Sequence, residues 1–243
     1  MAEQDNSILK LFGFEIKRQE KAEKDKEKLK SIVAPTDDDG AGYVTASGSH
    51  YGQYIDMEGN KAKDNQQLII KYRGVATHPE VDAAIEDIVN ESIVGSEQDM
   101  SCELNLDKVE APNNIKKQMT EEFNNIYSML NFGELGHYIF RSFYVDGRIY
   151  HHLVVDESRI KEGIQEIRTI DAAKIRKVKE VKHEKDPITG AKVVKEVKEF
   201  YIFQEKAGTN QGVRLSPDSV SYVSSGLLDP SKKQVVSYLH KAL

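Results

Sequence analysis

Hydrophobic residues recur at helical spacing in three stretches of the chain. The clearest stretch runs from Thr77 to Val94, where apolar residues return every three or four positions and acidic or amide residues fill the opposite side. Thr77 and Glu80 have the spacing of a capping box, and Pro79 lies in the first turn, where its missing N–H does no harm. We predict that four apolar residues of this helix are core: Val81, Ile85, Ile88 and Val89.

Two further helices are predicted over residues 114–130 and from residue 131 to Gly147. The second opens with an N-x-x-E pattern at Asn131, and Gly147 suits the left-handed position that often ends a helix. We interpret the apolar stripes of both helices as core, so that the three helices form one layer. The stripes are Ile115, Met119, Phe123, Ile126, Tyr127 and Leu130 in the first helix, and Leu135, Tyr138, Ile139, Ser142 and Phe143 in the second.

Elsewhere the hydrophobic period is two, which is typical of strands. Met100–Val109 alternates in this way and predicts a half-buried strand with Cys102 on its apolar side. A long hairpin is predicted over residues 175–204, with its turn at residues 186–190. The remaining predicted strands are Arg148–Asp156, Gln165–Ile170 and a last strand region at Val213–Val223.

These patterns together predict an α+β fold over residues 67–243, in which a helical layer packs with antiparallel strands and a long charged β-hairpin. Residues 1–66 are expected to form a partly disordered N-terminal arm. Within this arm an apolar patch in residues 1–16 predicts one or two helical turns, residues 17–30 suit a solvated helix or disordered segment, and residues 34–66 are rich in turn residues, with extended pieces such as Tyr43-Val44.

A last helix is predicted to be capped by Ser231, with Val235, Val236, Leu239 and His240 on one stripe. The sequence stops at Leu243 inside that pattern, without a residue that ends helices. We therefore expect a truncated C-terminal helix and an N-terminal fragment of a longer protein.

Composition narrows the class of protein. Charged residues make up 30% of the chain, Trp is absent, and the net charge is −6, which argues against a dedicated nucleic-acid binder. The single cysteine excludes an internal disulfide. No apolar run approaches the length of a membrane span, so we predict none.

Candidate chemistry is sparse. His151 and His152 are adjacent in a predicted strand and point to opposite faces, so they cannot share one metal ion. The run Asp37–Asp39 lacks the alternating spacing of a calcium loop. No phosphate-binding loop or nucleophile motif is present. We expect no catalytic, cofactor or metal site, and no enzyme.

Several longer segments carry a specific resemblance. The chain resembles the portal (head–tail connector) proteins of T-even-type tailed bacteriophages. Four segments carry the resemblance and occur in the order found in that family: KYRGVATHPEVDAAIEDIVNESIV, FYVDGRIYHH, IDAAKIRKV and DSVSYVSSGL. In the first segment the matching residues are Tyr72, Arg73, Pro79, Glu80, Val81, Ala84, Ile85, Glu86, Asp87, Ile88, Val89, Asn90 and Glu91. In the middle segments they are Tyr144 to Tyr150, Gly163, Ile164, Glu166 to Arg168, Ile170, Asp171 and Lys174 to Val178.

The resemblance implies a structural subunit of a homo-oligomeric, dodecameric portal ring at one capsid vertex. Residues 67–243 would be the radially projecting wing domain. Such a ring nucleates head assembly, passes double-stranded DNA during packaging and ejection, and joins head to tail. Its implied partners are the major capsid protein and scaffold, the large terminase (packaging ATPase), and neck and tail connector proteins. The implied location is the virion, after assembly in the host cytoplasm or at the inner membrane surface. The alternative is a capsid- or tail-associated interaction module without a channel.

Two groups of charged residues are candidate contacts. The acidic face of the first helix, with Glu86, Asp87 and Glu91, could meet a neighbouring subunit. The second group lies between Lys174 and Lys198, where the chain has nine Lys or Arg and four Asp or Glu. The hairpin formed there could be solvated, could contact a neighbouring subunit, or could contact DNA. The lysines proposed for weak DNA or intersubunit contact are Lys177, Lys179, Lys182, Lys192 and Lys195.

Overall fold

The computed structural model describes residues 8–11, 14–17, 42–45, 60–94, 100–187, 190–205, 212–229 and 234–243. These residues form four α-helices and three β-sheets, so the predicted α+β class is confirmed. The helices are α1 (Asn60–Val75), α2 (Pro79–Ser92), α3 (Asn113–Met129) and α4 (Phe132–Asp146). The strands are β1 (Ile8–Leu11), β2 (Phe14–Lys17), β3 (Gly42–Thr45), β4 (Arg148–Val154), β5 (Glu166–Ile170), β6 (Ile175–Lys185), β7 (Lys192–Phe203), β8 (Val213–Leu215) and β9 (Val220–Ser224).

The strands pair mostly with their neighbours in sequence. One sheet has the order β5-β4-β9 and is antiparallel throughout. A second has the order β3-β6-β7-β8, in which β3 runs parallel to β6 and the other pairs are antiparallel. The predicted pairing of β4 with β5 is confirmed, as is the antiparallel pairing of the two strands of the predicted hairpin.

Helix α1 joins the two main parts of the core, because neighbouring turns of this helix enter different clusters. Ile69 is buried with the aromatic residues of the sheets, where Tyr150 stacks on Tyr222 at 4.8 Å between ring centroids. Tyr72 is buried among the helices. The two clusters are Ile69, Tyr150, Ala172, Ile175, Tyr201 and Val220, and Tyr72, Ala76, Ile85, Val89, Val145 and Leu239.

The start of α2 differs from the predicted capping box. Pro79 is the first helical residue, as expected, but His78 rather than Thr77 precedes it in the capping position. The hydroxyl of Thr77 donates to the carbonyl of Gly74 at 2.7 Å, because the preceding helix ends only two residues earlier and offers this acceptor. The prediction of a capping box formed by Thr77 and Glu80 is therefore wrong.

The core face of α2 is narrower than predicted. Ile85 and Val89 are buried, which confirms that the helix packs through these residues. Ile88 is 36% exposed, so its assignment to the core is wrong. Helix α4 packs against α2, and its Val145 lies in one buried cluster with Ile85 and Val89, to which Ile88 does not belong.

Helices α3 and α4 occur where the sequence predicts them, and Gly147 ends α4 at a positive φ of 71°. Their stripes are less buried than expected. No residue of α3 is buried, and Tyr138 of α4 is 66% exposed. At Asn131 the side-chain amide donates to the Glu134 carboxylate at 2.7 Å, and the side chain accepts no backbone N–H of the helix, as the predicted cap would require.

Three predicted elements take other conformations. Residues 100–109 form no strand and pair with no described strand, and Cys102 is exposed. The last strand region is divided between β8 and β9, which belong to different sheets. The predicted C-terminal helix is absent from the described residues: Val235 bridges Leu228, and only Tyr238–Ala242 forms a 3-10 helix. The conformation of each segment depends on hydrogen-bonding partners elsewhere in the chain, and hydrophobic periodicity does not show which partners a segment will have.

The predicted arm contains more regular structure than expected. Strands β1 and β2 pair antiparallel where helical turns were predicted, and residues 60–66 are the start of α1 where turns were predicted. Tyr43 and Val44 are extended in β3, in agreement with the prediction. Residues 18–30, Asp37–Asp39 and Ser231 lie outside the described residues.

Candidate functional site

An ionic network fixes the helices to the sheets. Arg73 of α1 donates to both carboxylate oxygens of Asp146, Nε to Oδ1 at 2.9 Å and Nη2 to Oδ2 at 2.6 Å. Its Nη2 also donates to Asp171, in the turn before β6, at 2.7 Å. Burial alone would raise the pKa of Asp171, but the hydrogen bonds from Arg73 and the Ala173 N–H hold that pKa below its usual range. One guanidinium thus ties α1, α4 and the sheet together.

A second arginine holds the C-terminal segment. Arg148 is buried at the start of β4 and donates to the side chain of Asn65 at 2.8 Å and to the carbonyl of Val235. Gln234 also donates to Asn65, at 2.7 Å. The segment after residue 234 is therefore part of the folded core and connects α1 with β4.

A polar seam joins α2 to α4. Arg141 of α4 donates to Glu86 at 2.8 Å and also to Asp82, and the ring of His137 hydrogen-bonds Asn90 at 2.9 Å. Glu86, which the sequence placed in a possible subunit interface, is therefore engaged with α4 of its own chain. Residues of the polar side of α2 thus fix this helix pair, and only part of that side is left for a partner.

The other two acidic candidates lie on the outer side of α2. Asp87 and Glu91 are exposed, and Glu80 lies on the same line at helical spacing. Among the described residues, none of these three carboxylates forms an ion pair. Exposed apolar side chains occur on the neighbouring helix α4, where Leu135 is 46% exposed and Tyr138 projects into solvent.

The five candidate lysines of the hairpin have different surroundings. The side chain of Lys179 has 0% exposure, and both Lys177 and Lys179 contact Glu199, at 3.0 Å and 3.3 Å. These two lysines are consequently not available to a surface partner. Strand β6 lies between β3 and β7, and its four residues opposite β3, Val178 to Val181, are all buried, including Lys179 and Glu180.

The remaining three lysines lie farther along the hairpin. Lys182 contacts Glu196 at 3.6 Å and Lys195 contacts Glu184 at 2.8 Å. Lys192 is exposed at the start of β7, and Lys185, the last residue of β6, is directly opposite it in the register. Like charges in directly opposed positions repel each other, so this end of the hairpin favours an anionic neighbour.

The described residues offer little chemistry for a ligand or a reaction. They contain no group of three or more His, Cys, Asp or Glu side chains that could hold a metal ion. None of the described helices has both the length and the hydropathy needed to cross a membrane. His151 is buried and His152 half-buried on opposite faces of β4, and burial lowers the pKa of His151.

Sequence reasoning missed the residues that organise this region. Arg73, Asp146 and Arg148 lie in segments that resemble the portal family, yet no periodic pattern distinguishes them from solvated charges. The sequence did contain one indication of their role: Arg73, Asp146 and Arg148 are charged residues that lie among apolar ones. A charged residue in such a place needs a partner when it is buried. Which partners they have depends on the fold.

The comparisons with known proteins agree with the resemblance. The family model described as Bacteriophage T4-like portal protein (Gp20) matches residues 65–243. The chain is 31% identical over 240 residues to the portal protein of Vibrio phage KVP40, covering 90% of this chain and 45% of that protein. It is 28% identical over 149 residues to the portal protein of Salmonella phage ViI, covering 61% of this chain and 26% of that protein.

The chain spans less than half of the length of either relative. The family match begins within α1 and covers the helical layer, both main sheets except β3, and the C-terminal segment. That match covers well over half of the sequence. This chain therefore belongs to the T4-like bacteriophage portal protein family.

Proposed function

We propose that the protein is a structural subunit of a viral portal ring at one capsid vertex. The observation that carries this proposal is the family match across residues 65–243, which coincides with the well-packed part of the fold. In this role it assembles as a dodecamer, takes part in head assembly, surrounds the channel for DNA packaging and ejection, and joins the head to the tail.

The packing of the chain suits such a role. Arg73 and Arg148 bind the helices, the sheets and the C-terminal segment into one unit, so the subunit presents surfaces in fixed relative positions. A ring needs two different surfaces on each subunit that meet at a constant angle, because any other angle leaves the ring open. The mechanism is therefore geometric, with the energy for packaging supplied by a separate ATPase.

Residues 67–243 would form the wing domain that projects away from the channel. Its partners in the virion would be the major capsid protein and scaffold during head assembly, the large terminase during packaging, and neck and tail connector proteins afterwards. Double-stranded DNA passes through the ring. The portal family to which the chain belongs is structural, and the role needs no cofactor and no catalytic residue.

The test is the oligomeric state of the full-length protein. Native mass spectrometry and electron microscopy are expected to give a closed ring of twelve subunits with a central channel. A matched sample at high salt separates a specific ring from charge-driven aggregation, since exposed charges are then screened. A protein that stays monomeric or dimeric under all conditions would overturn the proposal.

A further inference from the structure

We infer that the outer face of the α2–α4 pair is the docking surface for the β6–β7 hairpin of a second copy of this chain. The inference rests on the proposed ring and specifies which two surfaces of neighbouring subunits meet. We call the first surface the outer face, and it consists of Ala83, Ala84, Asp87 and Glu91 of α2 and Leu135 and Tyr138 of α4.

The outer face has the character of an unpartnered interface. Tyr138 and Leu135 are one helical turn apart on α4, and both are large exposed side chains. Tyrosine is enriched at the energetic centres of protein interfaces because it adds much contact area for little conformational entropy. The contacts of Arg141 with Asp82 and Glu86 hold the two helices together, so this face is formed before any partner binds.

The charge of the outer face indicates what kind of partner it fits. Helix α2 contains five acidic residues and no basic residue. Arg141 pairs with Asp82 and Glu86, and Asp87 and Glu91 lie at i, i+4 spacing without an ion pair among the described residues. Like charges at this spacing repel each other. A partner with lysines around apolar side chains would relieve this repulsion.

The distal part of the hairpin has that complementary character. Among the described residues, β3 pairs with β6 up to Val181, and β8 pairs with β7 from Tyr201 onward. Residues 182–187 and 190–198 therefore form a two-stranded ribbon that extends past the described parts of both neighbouring strands. This ribbon has five Lys against three Asp or Glu, a net charge of 5 − 3 = +2. Its half-buried valines supply the apolar contacts: Val193, Val194 and Val197.

No extensive contact joins the two surfaces within one chain among the described residues. In the described part of the structure β6 and β7 pack with other strands, and α2 packs with α4. Two different complementary surfaces on one chain form a head-to-tail contact, and repetition of such a contact closes a ring when the rotation between subunits is right. The same geometry that leaves both surfaces open in the monomer therefore suits a neighbouring copy.

Cross-linking of the full-length protein tests the contact directly. In a background in which Cys102 and any other cysteine of the full-length protein are changed to Ser, Asp87→Cys and Lys192→Cys are made in separate chains, mixed, assembled and treated with a short bismaleimide. We expect a cross-linked dimer in the mixture and at least tenfold less in a matched mixture of Asp87→Cys with Lys161→Cys, because Lys161 is exposed in the turn between β4 and β5. Equal yields in the two mixtures would overturn the inference.

Charge reversal provides an independent readout. Asp87→Lys with Glu91→Lys, or Lys185→Glu with Lys192→Glu, should each slow ring assembly roughly tenfold at low salt, since complementary charges steer association. All four changes in one chain should restore the rate. Rings that form at the wild-type rate with either pair alone would contradict the docking and leave the portal role intact.

Two further outcomes separate the alternatives. If the lysine variants assemble normally but hold DNA less well, the hairpin contacts DNA and the inference is wrong. If the unchanged protein forms no ring, the proposed function fails and the docking fails with it.

Discussion

At the scale of single residues, the pairing of Asp171 with Arg73 predicts a pH-dependent contribution to stability. Asp171→Asn removes the charge and keeps an oxygen that can accept from the Ala173 N–H. Because the folded-state pKa of Asp171 is depressed, its contribution is present above the unfolded pKa of about 3.9 and is lost as the pH falls through the folded value.

The expected loss in free energy of unfolding is below about 1 kcal/mol at pH 7, since the pair is partly exposed. Urea unfolding from pH 7 down to pH 2 measures it, and the difference from the wild type should shrink on acidification. Asp218→Asn is the control, because Asp218 is exposed and forms no ion pair among the described residues. A difference that stays constant with pH would show that the charge of Asp171 is irrelevant.

Gly147 supplies a second prediction at this scale. Its φ of 71° is left-handed, and an added Cβ would lie 2.7 Å from the backbone of Ser237 and from the Val236 carbonyl oxygen. Gly226 has a similar φ of 72° and open space around it. Both Gly→Ala changes cost about 1–2 kcal/mol of backbone strain, but Gly147→Ala should cost roughly 1–3 kcal/mol more through overpacking. Equal unfolding midpoints for the two variants would contradict the close contact.

At the scale of elements, α2 provides a comparison of two isoleucines in one helix. Ile85 is 1% exposed and Ile88 is 36% exposed. Ile85→Ala should lower the free energy of unfolding by roughly 2–5 kcal/mol, and Ile88→Ala by less than about 1 kcal/mol. Chemical denaturation followed by circular dichroism measures both.

Aspartate at the same two positions gives a sharper comparison. Ile88→Asp should fold, whereas Ile85→Asp buries an unpaired charge and should not fold. Two equally stable aspartate variants would show that α2 is not packed through Ile85.

The elements predicted correctly from the sequence are those whose signal is local. Helices α3 and α4 show a hydrophobic pattern of period 3.6 over 17 and 15 residues. The hairpin sequence has Pro187 and Gly190 between two strands that contain several valines. The stretch at residues 100–109 also alternates, yet it forms no strand, because a strand needs hydrogen-bonding partners that alternation does not supply. Val235, Val236 and Leu239 are buried as the apolar pattern suggested, but in extended and 3-10 backbone.

The candidate interface was predictable only in part. The sequence shows which residues carry charge, and Asp87 and Glu91 are indeed exposed. It does not show that Glu86 pairs with Arg141 across the helix seam, nor that Lys179 is enclosed beside Glu199. These pairs join residues far apart in sequence, so they exist only once the fold has brought the elements together.

At the scale of the whole molecule, the segment from residue 234 onward packs against both the helices and the sheets, and we expect its removal to abolish cooperative folding. Val235, Val236 and Leu239 are buried, the Tyr72 hydroxyl hydrogen-bonds His240 at 2.8 Å, and the Arg148 guanidinium donates to the Val235 carbonyl. Burial of three such side chains contributes roughly 1.5–3 kcal/mol each, which together approaches the whole stability of a typical domain, about 5–15 kcal/mol.

A chain shortened after residue 233 should therefore lose cooperative unfolding, because it also leaves the Arg148 charge buried without its carbonyl acceptor. A chain that lacks only residues 241–243, all exposed, should unfold within about 1 kcal/mol of the parent. Differential scanning calorimetry and dispersion of amide proton signals distinguish the two. A cooperative transition at the parental temperature in the shorter chain would mean that α1, α4 and β4 hold together without the segment. The contacts of Arg73 with Asp146 and Asp171 would then have to fix the helices to the sheets without help from Arg148.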